Sequence, residues 1–296
     1  MTRIGFVGLG VMGAGIASNL MKNGFPMTVY ARQPGKAAPF VERGAHLAPT
    51  IAQVGARSDV VVLSVSNTQD VEEVIFGQDG LATTLARGAV VIDTSTISAK
   101  GTQAMSEKLA MQGVTLLDAP VSGGQKGATD GTLTCMVGGP LAVFEQCMPV
   151  FQGFAKTINR IGESGAGQIC KACNQICVIA SMLGAAEMVA LCLKTGTDPM
   201  LVRAALLGGS AKSAVIENHT LRLIRRSFAP GFRADLLLKD LRLALDLENE
   251  SGVFAPVTST AEPLFTKMVE SGMAGLDWSA VGALVQQMSG MDEGKA

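Results

Sequence analysis

Between Arg3 and about Gly162 short apolar runs alternate with amphipathic stretches, and beyond Gly162 the short runs stop. Ile4-Gly-Phe-Val7, Met27-Thr-Val-Tyr30, Val60-Val-Val-Leu-Ser64, Val90-Val-Ile-Asp93 and Val114-Thr-Leu-Leu117 read as buried strands. Ile16 to Lys22 and Ala99 to Met111 carry helical patterning between them. Strands that alternate with helices of this length imply βαβ units and a parallel sheet. Thr132 to Val137 and Thr157 to Ile161 are expected to extend its edge. After the turn Gly162-Glu-Ser-Gly165-Ala-Gly167 only helical periodicity remains: Gln168 to Lys194, Pro199 to Leu207, Ala214 to Arg226, Ala234 to Ser251 and Val257 to Ser271. The fold class expected is an α/β domain over residues 1–163 followed by an all-α domain over 164–296.

Several functions are excluded by composition. The net charge is -1 and aromatics make up 4% of the 296 residues. The chain therefore has neither the basic field nor the stacking platforms that nucleic acid requires. The most apolar stretch, Ala172 to Ala186, is fifteen residues long and contains Asn174 and Gln175. A bilayer span needs about 20 residues, so no membrane partner is expected. The N-terminal run resembles a signal peptide only in being apolar; with Gly8, Gly10, Gly13 and Gly15 in it and no convincing cleavage site, a cytoplasmic location is expected. Only 17% of residues are charged, below the ~25% usual for soluble proteins, which points to a buried interface between copies: a homodimer or homotetramer.

Cysteines lie at positions 135, 147, 170, 173, 177 and 192, and Cys170-x-x-Cys173 invites a metal reading. A structural zinc needs four ligands, and the chain has only His46 and His219 as histidines. Free thiols of a reduced compartment and no metal are expected. With histidine so scarce, proton transfer falls to Lys, Asp or Glu.

Gly8-x-Gly10-x-x-Gly13 matches the dinucleotide fingerprint. In a chain with 35 glycines the pattern alone carries little weight. Its position carries more: it follows the first strand and opens the first helix, where backbone N–H groups receive a pyrophosphate. A Rossmann-type domain is therefore expected, with Gly8, Leu9, Gly10, Val11, Met12 and Gly13 at the cofactor. The second strand ends Tyr30-Ala31-Arg32-Gln33, where an NAD site places a carboxylate for the ribose hydroxyls. Arg32 instead suits a 2′-phosphate, so NADP is favoured, with NAD possible.

Longer patterns follow. Gly8-Leu-Gly-x-Met-Gly13 leads to Asn19-Leu20, and Asp118-Ala-Pro-Val-Ser-Gly-Gly124 is followed by Gly127-Ala, Gly131-Thr-Leu133 and Met136-Val-Gly-Gly139. Gly165-x-Gly167-x-x-x-Lys171-x-x-Asn174-Gln175 comes next, then Phe232 to Asp240. In this order, and over essentially the whole chain, the sequence resembles the β-hydroxyacid dehydrogenases. It departs from them at Ala99, where the family commonly has proline, so the helix start there is expected to shift slightly.

The resemblance implies an NAD(P)-dependent enzyme interconverting a small 3-hydroxy acid and its semialdehyde. Tartronate semialdehyde/glycerate is the leading pair and 3-hydroxyisobutyrate oxidation the alternative. It implies Lys171 as the general acid/base, Asn174 as a hydrogen-bonding partner at the substrate, and Asp240 as a residue that helps position Lys171 or its surroundings. It also implies cofactor contacts from Ser64, Val65, Asn67, Thr96, Phe232 and Lys239. Imine reductases share the architecture but typically lack the lysine, so Lys171 speaks for hydroxyacid chemistry.

Physical reading of the same residues is compatible. Ser122-Gly123-Gly124 follows a strand, and its unobstructed N–H groups with the Ser122 hydroxyl suit a substrate carboxylate. Lys171 lies in an apolar helix, where a lysine is costly to desolvate. Asn174, three residues on, shares its face. The reading of another class is a non-catalytic nucleotide-binding regulatory module, which would be expected to have lost Lys171. The cleft between the two domains is where the resemblance would place nicotinamide and substrate.

Overall fold

In a computed structural model residues 1–291 are described, and the chain divides into two compact units, Met1–Lys171 and Ala172–Ala296. The first unit holds nine strands: β1 (Ile4–Val7), β2 (Met27–Tyr30), β3 (His46–Leu47), β4 (Val60–Leu63), β5 (Val90–Asp93), β6 (Thr115–Asp118), β7 (Val121–Ser122), β8 (Leu133–Gly138) and β9 (Ala155–Gly162). Its helices are α1 (Val11–Lys22), α2 (Ala38–Val41), α3 (Ile51–Ala56), α4 (Thr68–Phe76), α5 (Ala99–Ala110), α6 (Gly124–Asp130), α7 (Leu141–Gln146) and α8 (Met148–Gln152). Then α9 (Ala166–Thr195) carries the chain across the division. The second unit continues with α10 (Pro199–Leu207), α11 (Thr220–Ile224), α12 (Ala234–Glu250), α13 (Pro256–Met268) and α14 (Val281–Met288).

The sheet runs β3-β2-β1-β4-β5-β6-β8-β7, with β9 on β8. Strands β1 to β6 pair in parallel, β6 and β7 pair antiparallel with β8, and β8–β9 is parallel. The order 3-2-1-4-5-6 is that of a doubly wound dinucleotide-binding sheet, which reverses direction between β1 and β4. Side chains alternate between two cores. Ile4, Phe6, Val60, Val62, Val90 and Ile92 pack on one face, and Val7, Val61, Leu63, Val91 and Leu116 on the other. Burial on both faces is why these strands read as unbroken β-branched runs.

Ser98 accepts from the Gly101 N–H at 3.2 Å, so α5 starts at Ala99 without the family's proline. Helix α9 is longer than its most apolar segment, because it continues through Lys171 and Glu187. By length and composition alone it could cross a membrane, with a mean hydropathy of 2.2 over its most apolar window. One stripe of it is buried, however, and Ile179, Met182, Ala186 and Val189 pack into the core of the helical unit with Leu237, Leu241 and Phe265. None of the six cysteines forms a disulfide, and burial pushes the thiols of Cys135 and Cys147 up, Cys147 to about 11.

Asp277 holds the loop between α11 and α12. Its Oδ2 accepts the N–H groups of Gly231 and Phe232, both at 3.1 Å, and meets Arg222 Nη1 at 2.5 Å. Its Oδ1 accepts the N–H and hydroxyl of Ser279, and His219 Nδ1 lies 3.9 Å away. Burial pushes this carboxyl up, but the donors from His219, Ser279 and Phe232 outweigh it and leave the pKa well below the ordinary value. A depressed folded-state pKa contributes stability at pH above the unfolded value, and that contribution is lost as pH falls through the folded one. Asp277→Asn should therefore lower stability by ~3 kcal/mol at neutral pH, the low end for a broken buried pair because Arg222 is partly exposed. The gap between thermal melts of the two proteins should begin to narrow as pH drops below about 4, near the unfolded carboxyl value, and close only as the folded value is passed; a gap independent of pH would remove the carboxylate from this account.

Candidate active site

The glycine turn sits where the sheet order reverses. Gly8 follows β1 with φ +103°, and a Cβ there would lie 2.1 Å from the Ser64 carbonyl oxygen at the end of β4. A Cβ on Gly13 would lie 1.9 Å from the Gly8 oxygen, so α1 packs against the turn only because both residues are glycine. Gly10 is different: a Cβ there meets nothing within 4 Å. It is the N-cap of α1 and brings no side chain to cap the helix. The first-turn N–H groups thus open onto free space beside an exposed Val11, with the positive end of the helix dipole behind them. One glycine turns the chain, one packs the helix, and one leaves room for a pyrophosphate; the residues present fit a dinucleotide.

Arg32 is exposed beyond β2 and has no hydrogen bond or ion pair among the described residues. The loops after β4 and β5 are tied together. Val65 N–H donates to Ser95 Oγ at 2.9 Å, and the hydroxyl and N–H of Thr94 both reach the Leu63 carbonyl. Asn67 caps α4 through Oδ1, which accepts the Asp70 N–H at 2.7 Å. The Val65 N–H and Asn67 Oδ1 are thus engaged within the protein, leaving the Val65 side chain and Asn67 Nδ2 for a ligand. Thr96 lies half-buried in the loop after β5.

On the far side of β6, Gly123 and Gly124 take φ +130° and +60°, conformations that favour glycine, and both are exposed next to a half-buried Ser122. Lys171 is 8% exposed and its Nζ donates to the Val121 carbonyl at 3.1 Å, one residue before Ser122. The structure thus brings together the lysine and the glycine turn that sequence singled out separately.

In the helical unit Asn174 Nδ2 donates to Gln175 Oε1 at 2.8 Å, and Gln175 Nε2 to Asp240 Oδ2 at 2.7 Å. Lys239 Nζ lies 2.8 Å from Asp240 Oδ1. Asp240 is buried and Lys239 half-buried, so the carboxylate joins two residues of α9 to the lysine of α12. Phe232 is half-buried in the loop held by Asp277.

The buried polar residues outside the expected site include Asp118, Gln168, Gln175 and Asp277. Gln168 Oε1 accepts the Ile97 N–H at 3.1 Å and its Nε2 donates to the Ser95 carbonyl at 2.9 Å, holding the loop that bears Thr96. The available signal was periodicity, because Gln168, Lys171 and Gln175 fall on one stripe of an otherwise apolar helix.

A family model described as the NAD binding domain of 6-phosphogluconate dehydrogenase matches residues 3–162. A second, the NAD-binding domain of NADP-dependent 3-hydroxyisobutyrate dehydrogenase, matches residues 165–285. The 2-hydroxy-3-oxopropionate reductase of Escherichia coli (strain K12) is 39% identical over 97% of this chain and 98% of its own. The chain belongs to the β-hydroxyacid dehydrogenase family.

Two solved structures resemble this member of the family throughout. The 3-hydroxyisobutyrate dehydrogenase of Mycobacterium tuberculosis, solved with L-serine, superposes with a TM-score of 0.88 at 30% identity, covering 97% of this chain and 99% of that one. Psf3 in complex with NADP+ and 2-OPP gives a TM-score of 0.88 at 25% identity, covering 95% and 99%. The β-hydroxyacid dehydrogenase described here is an NAD(P)-dependent hydroxyacid oxidoreductase.

The glycine geometry separates two effects of one substitution. Gly10→Ala should leave the melting temperature nearly unchanged and weaken cofactor binding. Gly13→Ala should cost about 1–3 kcal/mol of stability, because its methyl has nowhere to go. Thermal melts and NADPH fluorescence titrations of the two variants test this; equal destabilisation would mean that the space at Gly10 is not there.

Proposed function

We propose that this enzyme interconverts a small 3-hydroxy acid and its semialdehyde with NADP(H), tartronate semialdehyde/glycerate being the best single pair. The observation that carries the reading is the buried Lys171 beside the Ser122–Gly124 turn. The Ser122 hydroxyl and the N–H groups of Gly123 and Gly124 hold the substrate carboxylate. A bound nicotinamide would supply the hydride in reduction and accept it in oxidation. Lys171 hydrogen-bonds the substrate oxygen, gives it a proton as the carbonyl carbon is reduced, and takes the proton back in the reverse direction. Its contact with the Val121 carbonyl holds the amine beside that turn. Asn174 orients the substrate, and Asp240 fixes Gln175 and Lys239 around it. Gly8 to Gly13 with Ser64, Val65, Asn67, Thr96, Phe232 and Lys239 bind the cofactor.

NADP is preferred because the exposed Arg32 guanidinium is available to a 2′-phosphate, and the Psf3 complex contains NADP+. The Mycobacterium tuberculosis relative favours a second reading, 3-hydroxyisobutyrate oxidation, and its L-serine is likewise a small 3-hydroxy carboxylate. The two pairs differ by contacts worth ~1–3 kcal/mol, which a substrate panel resolves. The protein is further proposed to be cytoplasmic and to form homodimers or homotetramers. Leu191 and Leu201 are 64% and 70% exposed on α9 and α10, and a partner copy would cover them. Light scattering that gave a monomer at micromolar concentration would remove the assembly.

Absorbance at 340 nm is the decisive assay, with tartronate, succinic and methylmalonate semialdehydes and glyoxylate each offered with NADPH and NADH. A kcat/KM of at least ~10⁴ M⁻¹s⁻¹ for one of them fixes substrate and cofactor. No turnover despite bound NADPH would leave the fold reading intact and move weight to another substrate or a non-catalytic role. Lys171→Ala should lower kcat by at least ~10²-fold with cofactor affinity nearly unchanged. Arg32→Ala should weaken NADPH by ~2–3 kcal/mol and NADH far less; equal losses would mean that Arg32 does not read the phosphate.

A further inference from the structure

Asp118 ends β6 and is completely buried, yet it faces no cation in hydrogen-bond range among the described residues. Its partners are main-chain donors at the head of α9. Oδ1 accepts the Gly165 N–H at 2.8 Å and Oδ2 the Gln168 N–H at 3.1 Å. Gly165 immediately precedes the helix and Gln168 is its third residue, so the carboxylate caps α9 from a strand about fifty residues earlier. A carboxylate is the favoured group at a helix N-terminus, where it meets the positive end of the dipole. Burial pushes its pKa up, and the N–H groups of Gly165, Gln168 and Gly167 hold it back.

Fit at this contact is tight. A Cβ on Gly167 would lie 2.4 Å from the Met136 carbonyl oxygen and 2.8 Å from both the Asp118 carbonyl oxygen and its Oδ2. Helix α9 therefore rests on the end of β6 with no free space between them. One turn beyond Gln168, Lys171 reaches the carbonyl of Val121, three residues after Asp118 in the chain. The two contacts bracket one short loop, Ala119-Pro120, so the carboxylate and the lysine dock the same helical turn on the same stretch of chain. The clamp of Gln168 on Ser95 and Ile97 holds that turn from the side.

We infer that Asp118 is the positioning residue of Lys171: by capping α9 from β6 it fixes the distance between the lysine amine and the Ser122–Gly124 turn. This rests on the reading of Lys171 as the acid/base. An ångström of helix displacement is enough to cost ~10²-fold in rate, while the nucleotide turn after β1 is untouched.

Asp118→Asn tests the inference, because the amide keeps the shape but turns an N–H donor toward a backbone N–H. In the full-length enzyme kcat should fall ~10–10²-fold, with the NADPH dissociation constant within about two-fold of wild type. The double variant with Lys171→Ala should be no slower than Lys171→Ala alone, since Asp118 acts only through the lysine. Without any substrate, acetic anhydride labelling read by peptide mass spectrometry should modify Lys171 several-fold faster in Asp118→Asn. If that variant is insoluble, Gly167→Ala displaces the same turn and should show the same kcat loss and labelling. A wild-type kcat in Asp118→Asn beside a slow Lys171→Ala overturns the inference alone. Losses that multiply in the double variant also overturn it, as they would make Asp118 merely structural. A full-rate Lys171→Ala overturns the acid/base reading together with it.

Discussion

A buried carboxylate solvated by backbone N–H groups anchors the α/β unit of this enzyme. Asp118 could not stay ionised in the interior without donors, and the first turn of α9 supplies them. In exchange the helix has its free N–H groups satisfied by the sheet, so strand and helix are each incomplete without the other. Asp277 does similar work in the helical unit, where a carboxylate gathers the N–H groups of Gly231, Phe232 and Ser279 and closes a loop onto the chain ahead of α14. Main-chain donors are fixed in direction once their own segments are formed. Such contacts therefore transmit position more faithfully than a surface ion pair such as Arg3–Asp59, whose long side chain can swing.

The nucleotide turn achieves the same fixity by omission. Gly8 and Gly13 let two main-chain segments approach to distances that any side chain would forbid, while Gly10 leaves a hollow. Three residues of one type thus do three different things, and which does which depends on the neighbours rather than on glycine itself.

Much of the fold was legible. Val60 to Leu63 and Val90 to Asp93 were readable because central parallel strands are apolar on both faces. Helix α10 was readable because Asp198 and Pro199 mark its start. Short elements left no such trace: α2, α3 and α6 run from four to seven residues, too few for a period to show. The substrate turn and Lys171 were legible because their neighbours form long, specific strings. Asp118 stood inside one of those strings, yet its function did not show, since its partners are N–H groups that every residue has. Gln175 was hidden for a related reason. Its partner Asp240 is 65 residues away, and nothing local tells a buried amide from an exposed one.

Helix α9 has one further consequence. The division between the two units falls after Lys171, inside a continuous helix, so no loop joins them. Most proteins of two parts tolerate insertions and deletions where the parts meet, because a linker absorbs them. Here a single residue inserted between Lys171 and Asn174 would turn one by about 100° around the helix axis relative to the other. The two side chains, three residues apart, would then no longer share a face of the helix. The number of residues between the two therefore matters more than which residues they are: the shared face survives an exchange of Ala172 or Cys173 but not a change in the count.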